Sequence, residues 1–147
     1  EAVFVVEEKG LIVRPDRPEF GASPDLLAHW RGYTFLGEIK CPWSNEFYKS
    51  VPDHYTSQMQ GLMWLMDLPM CDFIVYTSTH IMVKRLLRDP RFEAEDVPRL
   101  KAFYWGEYVP RVLMKQDGLL RPGELNVALL QTPGLIVEEE DTKDGSV

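Results

Sequence analysis

The stretch GEIKCPW, Gly37 to Trp43, constrains this chain more than any other. It sets Glu38 and Lys40 two places apart in an otherwise apolar run that Pro42 interrupts. Strand side chains alternate, so in a strand both charged groups point to the same face. Pro42 has no N–H to give to a ladder and is a natural stop. A carboxylate and an ammonium side by side in a run apolar enough to be buried call for a chemical reason, because an unpaired charge is costly to take out of water.

The rest of the chain narrows the classes open to it. At 147 residues, 45% of them hydrophobic and 12% aromatic, it is long enough for one domain with a real core and is not of disordered composition. No apolar run reaches the roughly 18 residues of a membrane span, and no basic n-region marks a signal peptide. The chain opens with Glu1 rather than methionine, and the expectation is a processed chain or a piece of a longer one. Cys41 and Cys71 lack C-x-x-C spacing and fit neither a disulfide framework nor a zinc knuckle; as free thiols they suit a reducing compartment. The formal charge of −7 excludes a surface that is basic all over. A nucleic-acid partner would have to be met by a local basic patch or through bound metal ions. The acidic stretch VEEEDTKDGSV, Val137 to Val147, reads as a solvated tail, and the division expected is a core over 1–134 and a tail over 135–147.

Hydrophobic periodicity predicts two short strands in VFVVEEKGLIV around a turn at Lys9-Gly10, then a loop over Arg14 to Phe20. A hairpin follows, with one strand over Ala22 to His29, a turn near Trp30-Arg31-Gly32 and a strand over Tyr33 to Lys40. In DHYTSQMQGLMWLMD the apolar positions Tyr55, Met59, Leu62, Met63 and Met66 have helical spacing, with Asp53 placed to cap the first turn and Pro69 beyond the end. CDFIVYTS and HIMVKRLL read as two strands joined at Ser78-Thr79. A long helix is predicted from about Glu93 to Lys115, with Pro98 near its first turn and Pro110 as a kink. Strands, helix, strands, helix is the order of a mixed α/β fold, a central sheet flanked by helices.

Singly, the polar residues near GEIKCPW have plain explanations. Asp25 in SPD suits a turn, Glu38 and Lys40 suit a surface ion pair, and Gln58 and Gln60 suit the outer side of a helix. Together they suit phosphodiester hydrolysis. That reaction needs a hard divalent cation held by one or two carboxylates, with room for water and phosphate oxygens. Asp25 and Glu38 lie on the two arms of the predicted hairpin and can converge on one ion, whose charge relieves their mutual repulsion. Lys40, on the face of Glu38, can reach the attacking water or the phosphate, and a neighbouring cation would depress its pKa. The helix face of Tyr55, Gln58, Leu62 and Leu65 is expected against the sheet, aiming the Gln58 amide at the Lys40 end of the strand.

Asp25…Glu38-Ile39-Lys40, thirteen residues from Asp to Glu, resembles the PD-(D/E)xK nuclease signature. GASPD, GEIKCP and YTSQMQGLMWL, in this order, with EYVPRVL later, resemble the lambda-exonuclease, YqaJ-like viral recombinase family from about Val3 to Lys115. The resemblance implies a restriction-endonuclease-like core and a magnesium-dependent exonuclease, with manganese as an alternative ion, that digests duplex DNA from its ends in the 5′ to 3′ direction during phage-type recombination or repair. It makes Asp25, Glu38 and the Ile39 carbonyl metal ligands, Lys40 the catalytic lysine and Gln58 its helper. It further implies ring-shaped homotrimers, a single-strand annealing protein as partner, and the cytoplasm of a bacterial or phage-infected cell. Competing readings are a non-catalytic DNA-end-binding or partner-binding module, and a structure-specific endonuclease on the same fold.

Two departures stand out. The family usually has glycine after SPD, where this chain has Leu26. Family members also carry an N-terminal helical region with another acidic site residue and basic contacts to the DNA end; Glu1, Glu7 and Glu8 are poor substitutes, and the expectation is that these 147 residues alone bind DNA weakly and cut slowly. Lys84, Arg85, Arg88 and Arg91 form the densest basic cluster, as readily a solvated strand end as a phosphate contact. His29, His54 and His80 have no metal-ligand spacing, and there is no P-loop, G-x-S-x-G or G-x-G-x-x-G.

Overall fold

A computed structural model of the chain describes residues 4–44 and 48–119, so the proposed tail over 135–147 lies outside the described residues. The chain divides into two compact units, Glu1–Pro98 and Arg99–Val147. The first is built on a five-stranded sheet of order β1-β4-β5-β6-β7, made of Phe4–Glu7 (β1), Leu26–Trp30 (β4), Tyr33–Lys40 (β5), Met70–Tyr76 (β6) and Ile81–Leu87 (β7). Its neighbours are antiparallel except β5 and β6, which run parallel and are connected through helix α1, Asp53–Met66. A parallel pair requires such a crossover, because a tight turn cannot return the chain to the same end.

The register follows from the alternation of side chains. Leu36, Glu38 and Lys40 of β5 lie beside Cys71, Phe73 and Val75 of β6, while Leu27 of β4 faces Leu36. This is the face that α1 covers: Met59, Leu62 and Met63 join Leu27, Leu36, Cys71, Phe73 and Val75 in one buried cluster. Burying such side chains contributes roughly 1.5–3 kcal/mol each. A helix of 14 residues is marginal alone in water, so this face rather than propensity holds it. Leu65, expected on the same side as Leu62, turns instead with Trp64 to a second cluster with Phe92 and Val97. The other face of the sheet exposes Phe4, Val6, Tyr33, Tyr76, Ile81, Val83 and Leu87.

Several local expectations need correction. Arg14 to Phe20, expected as a loop, forms most of a hairpin of Ile12–Arg14 (β2) and Arg17–Ala22 (β3), turning at Pro15-Asp16. Pro18 is tolerated there because both strands of a two-stranded sheet are edges. The strands flanking Lys9-Gly10 do not pair with each other: β1 pairs with β4 and β2 with β3. The expected strand over Ala22 to His29 is divided by Ser23-Pro24-Asp25, and Pro24 again lacks the N–H that continuous pairing would need. Pro52, not Asp53, stands at the N-cap of α1 without a side-chain cap; Asp53 is the first helical residue, where its charge suits the positive end of the helix. The helix stops at Asp67, which adopts the left-handed conformation (φ 53°), and Pro69 prevents continuation.

The β4–β5 turn lies where the sequence put it. Arg31 (φ 50°) and Gly32 (φ 82°) both have positive φ, as a two-residue primed turn requires. The predicted helix from Glu93 to Lys115 is a succession of π-helical turns, Phe92–Asp96 and Tyr104–Tyr108, and short α-helices, Val97–Phe103 (α2) and Val109–Gln116 (α3). Pro110 sits in the first turn of α3, directly after the second π-helical turn, where its missing N–H is least needed.

Candidate active site

Glu38 is the buried centre of the site, 2% exposed in the middle of a five-stranded sheet. Its Oε1 accepts two hydrogen bonds, from Lys40 Nζ at 2.5 Å and from Gln58 Nε2 at 2.8 Å. Its Oε2 is buried with no hydrogen-bond partner. An unsatisfied buried polar atom costs about 1–3 kcal/mol, more when charged. One oxygen is thus doubly held while the other is buried without a partner.

Asp25 stands just before β4. Extending the Leu26–Gly37 pairing by one residue sets it opposite Glu38. Its Oδ2 accepts the Ile39 N–H at 2.6 Å, which ties the exposed carboxylate to the end of β5. The same neighbourhood is felt by Cys71, whose thiol burial pushes up to about 12, with further upward contributions from the charges of Glu38, Asp72 and Asp25. Among the described residues no three His, Cys, Asp or Glu side chains are grouped to hold a metal. The donor set that the motif resemblance implies is two carboxylates and the carbonyl of Ile39, the residue whose N–H Asp25 holds. All three are hard oxygen donors of the kind that suit magnesium or manganese and leave positions for water. With the orphaned Oε2, the residues present fit a divalent ion.

Burial, the largest single influence on Lys40, disfavours its charge, but the hydrogen bond and charge of Glu38, with Tyr55 and Asp25, outweigh it and raise its pKa. With Glu38 as partner the lysine is a proton-bearing ammonium. Gln58 was expected to aim its amide at the Lys40 end of β5, and the atom it meets there is on Glu38. It donates to the glutamate oxygen that Lys40 also uses, so both residues act on Glu38.

The basic cluster is spent on local contacts. Arg85 makes a two-pronged pair with Asp72 (2.6 and 2.7 Å), Lys84 donates to the Tyr48 and Lys49 carbonyls, Arg88 meets Asp67 and Glu93, and Arg91 folds back on Asp89. Lys84 and Arg85 also point to opposite faces of β7. His29 bonds Thr34 and Glu7, away from any ligand set.

Gln60 was read as an outer polar position and is not. It is 7% exposed, donates to the Leu87 carbonyl at 2.9 Å and accepts the Asp89 N–H at 2.8 Å, fastening the exit of β7. The spacing carried the signal: residues two apart on a helix do not share a face, so Gln58 and Gln60 could not serve one site.

No protein-family description matches the chain, and no curated protein matches it. Solved structures do. The alkaline exonuclease LHK-Exo from Laribacter hongkongensis is similar with a TM-score of 0.62 and 30% identity, over 79% of this chain and 63% of that one. LHK-Exo in complex with dAMP is similar with a TM-score of 0.63 and 33% identity, over 80% of this chain and 65% of that one. The chain therefore spans a little under two thirds of the length of these neighbours. These exonuclease neighbours are consistent with the lambda-exonuclease, YqaJ-like resemblance carried by the motifs, and the mixed five-stranded sheet with its helices forms a restriction-endonuclease-like core.

Proposed function

We propose that this chain is the catalytic core of a divalent-metal-dependent DNA exonuclease. The observation that carries the reading is Glu38: a buried carboxylate with one oxygen fixed by Lys40 and Gln58 and the other unpartnered, beside Asp25 at the end of β5. Asp25, Glu38 and the Ile39 carbonyl would hold the ion, which would supply positive charge for the phosphate and for activating water. Gln58 and Lys40 fix the orientation of the Glu38 carboxylate. Lys40, kept protonated, presents N–H groups to the phosphate as negative charge develops on it. Magnesium is the ion proposed, with manganese able to replace it.

The substrate proposed is the end of duplex DNA, degraded 5′ to 3′ in recombination or repair, with a homotrimeric assembly and a single-strand annealing protein as partner. The resemblance of the motifs and the exonuclease neighbours support this reading. Among the described residues no helix is long and apolar enough to cross a membrane. Phosphate contacts by Lys84, Arg85, Arg88 and Arg91 would require each to leave an existing partner, and they are proposed as secondary contacts only. The core is proposed to extend over 1–134.

The test is digestion of linear duplex labelled at either end, beside a closed circle, with magnesium, manganese, calcium or chelator. Loss of label from linear duplex with magnesium, and an intact circle, is the expected result. Cutting of the circle would identify an endonuclease, and no metal-dependent cleavage of any DNA would contradict the reading.

A further inference from the structure

We infer that Tyr55 is a positioning residue for Lys40, an inference that rests on the function proposed above. The Lys40 ammonium lies 4.6 Å from the centroid of the Tyr55 ring, within cation–π range. The ring is itself held in place. Phe73, fully buried and paired with Glu38 in the β5–β6 ladder, packs on it at 5.5 Å, and Tyr48 meets it edge-on at 5.9 Å.

The physical need for such a wall comes from lysine itself. Its four-carbon stem is flexible and its ammonium is a point charge, so one hydrogen bond does not set its direction. Glu38 is a poor sole anchor, because a carboxylate that also serves a metal ion holds a neighbouring ammonium less strongly. The ring attracts the ammonium without competing for that carboxylate. Tyr55 lies three residues before Gln58 on the same side of α1, so the first two turns of one helix supply both the ring on Lys40 and the amide on Glu38. Tyr55 contacts Lys40 and not the reacting atoms.

The test compares Tyr55→Phe with Tyr55→Leu and Tyr55→Met in the full chain. Two apolar replacements without a ring are used so that one misfolded variant does not decide the matter, and thermal melts confirm folding. The first readout needs no metal. It is the NMR shift of the Lys40 ε-methylene, assigned with Lys40→Arg, which the ring current displaces in the wild type. Tyr55→Phe should retain the displacement, and Tyr55→Leu and Tyr55→Met should lose it. The second readout is turnover on duplex DNA with magnesium. The ring-less variants should lose roughly tenfold in kcat with KM changed less than about twofold, whereas Tyr55→Phe stays within about twofold of wild type.

A Lys40 shift that is the same in all variants, or full kcat in folded Tyr55→Leu and Tyr55→Met, overturns the inference and leaves the proposed function intact. Tyr55→Phe as impaired as Tyr55→Leu also overturns it, because the hydroxyl rather than the ring would then matter. A wild-type chain that cleaves no DNA overturns the proposed function, and the role of Tyr55 falls with it.

Discussion

Gln58 Nε2 donates to Oε1 of Glu38 at 2.8 Å, the same oxygen that Lys40 Nζ meets at 2.5 Å. Two donors on one oxygen fix the plane of the carboxylate and leave Oε2 as the free lobe. Lys40→Ala should lower turnover by roughly 10²- to 10⁴-fold while metal binding survives, as expected of an electrostatic or proton-handling group. Gln58→Ala should cost less, since Lys40 still holds the oxygen. Single-turnover rates with saturating metal check the order; a larger loss for Gln58→Ala would show that the amide, not the lysine, acts on the phosphate.

Leu26, which replaces the usual family glycine after SPD, finds its room across the ladder. It pairs with Gly37, and a Cβ on Gly37 would come within 2.7 Å of Leu26 Cγ and Cδ1. Gly37→Ala should therefore destabilise the chain by about 1–3 kcal/mol. Leu26→Ala in the same chain should recover much of that loss. Urea melts of the two single variants and the double variant check this, and strictly additive effects would contradict the packing account.

Asp67 ends α1 among three arginines, Arg14, Arg17 and Arg88. The Arg14 hydrogen bond, outweighing the opposing effect of burial, holds its carboxyl below the usual aspartate range, with the charges of Arg14, Arg17 and Arg88 adding to it. A depressed folded pKa gives stability that is present above the unfolded value of about 3.9 and is lost as pH falls through the folded value. Asp67→Asn keeps a residue that tolerates the left-handed backbone and removes the charge. It should cost under about 1 kcal/mol per exposed pair near neutral pH, and nothing once the wild-type aspartate is protonated. Melts at pH 7 and near pH 2 make the comparison.

The two thiols should differ sharply. Cys41 is exposed, whereas Cys71 is fully buried with its pKa pushed up to about 12. At pH 8, iodoacetamide should label the native chain once, at Cys41, and a second time only after denaturation. Rapid labelling of Cys71 in the native chain would mean that the α1–sheet core opens readily.

What could be read in the sequence was what depends on local alternation and spacing. β5 and its proline stop, the primed turn at Arg31-Gly32, and α1 with its apolar face all follow from side-chain period and turn chemistry. The grouping of Asp25, Glu38, Lys40 and Gln58 followed because Glu38 and Lys40 share β5 and Asp25 stands at the start of the adjacent β4. What was missed depends on which element lies beside which. Periodicity could not say that β1 pairs with β4 rather than with β2. Nor could it turn Leu65 and Trp64 toward Phe92, bury Gln60 against the exit of β7, or bring the Tyr55 ring over Lys40. Sequence aimed the Gln58 amide at the Lys40 end of β5 but could not say which atom there it would meet.

The central claim is that Glu38 and Asp25 bind the catalytic ion, and calorimetric titration of magnesium or manganese into the wild type, Glu38→Gln and Asp25→Asn tests it most directly. Both variants should stay folded, lose the metal-binding heat and lose cleavage of linear duplex together. Unchanged metal affinity in Glu38→Gln would contradict the account, whatever happened to its activity.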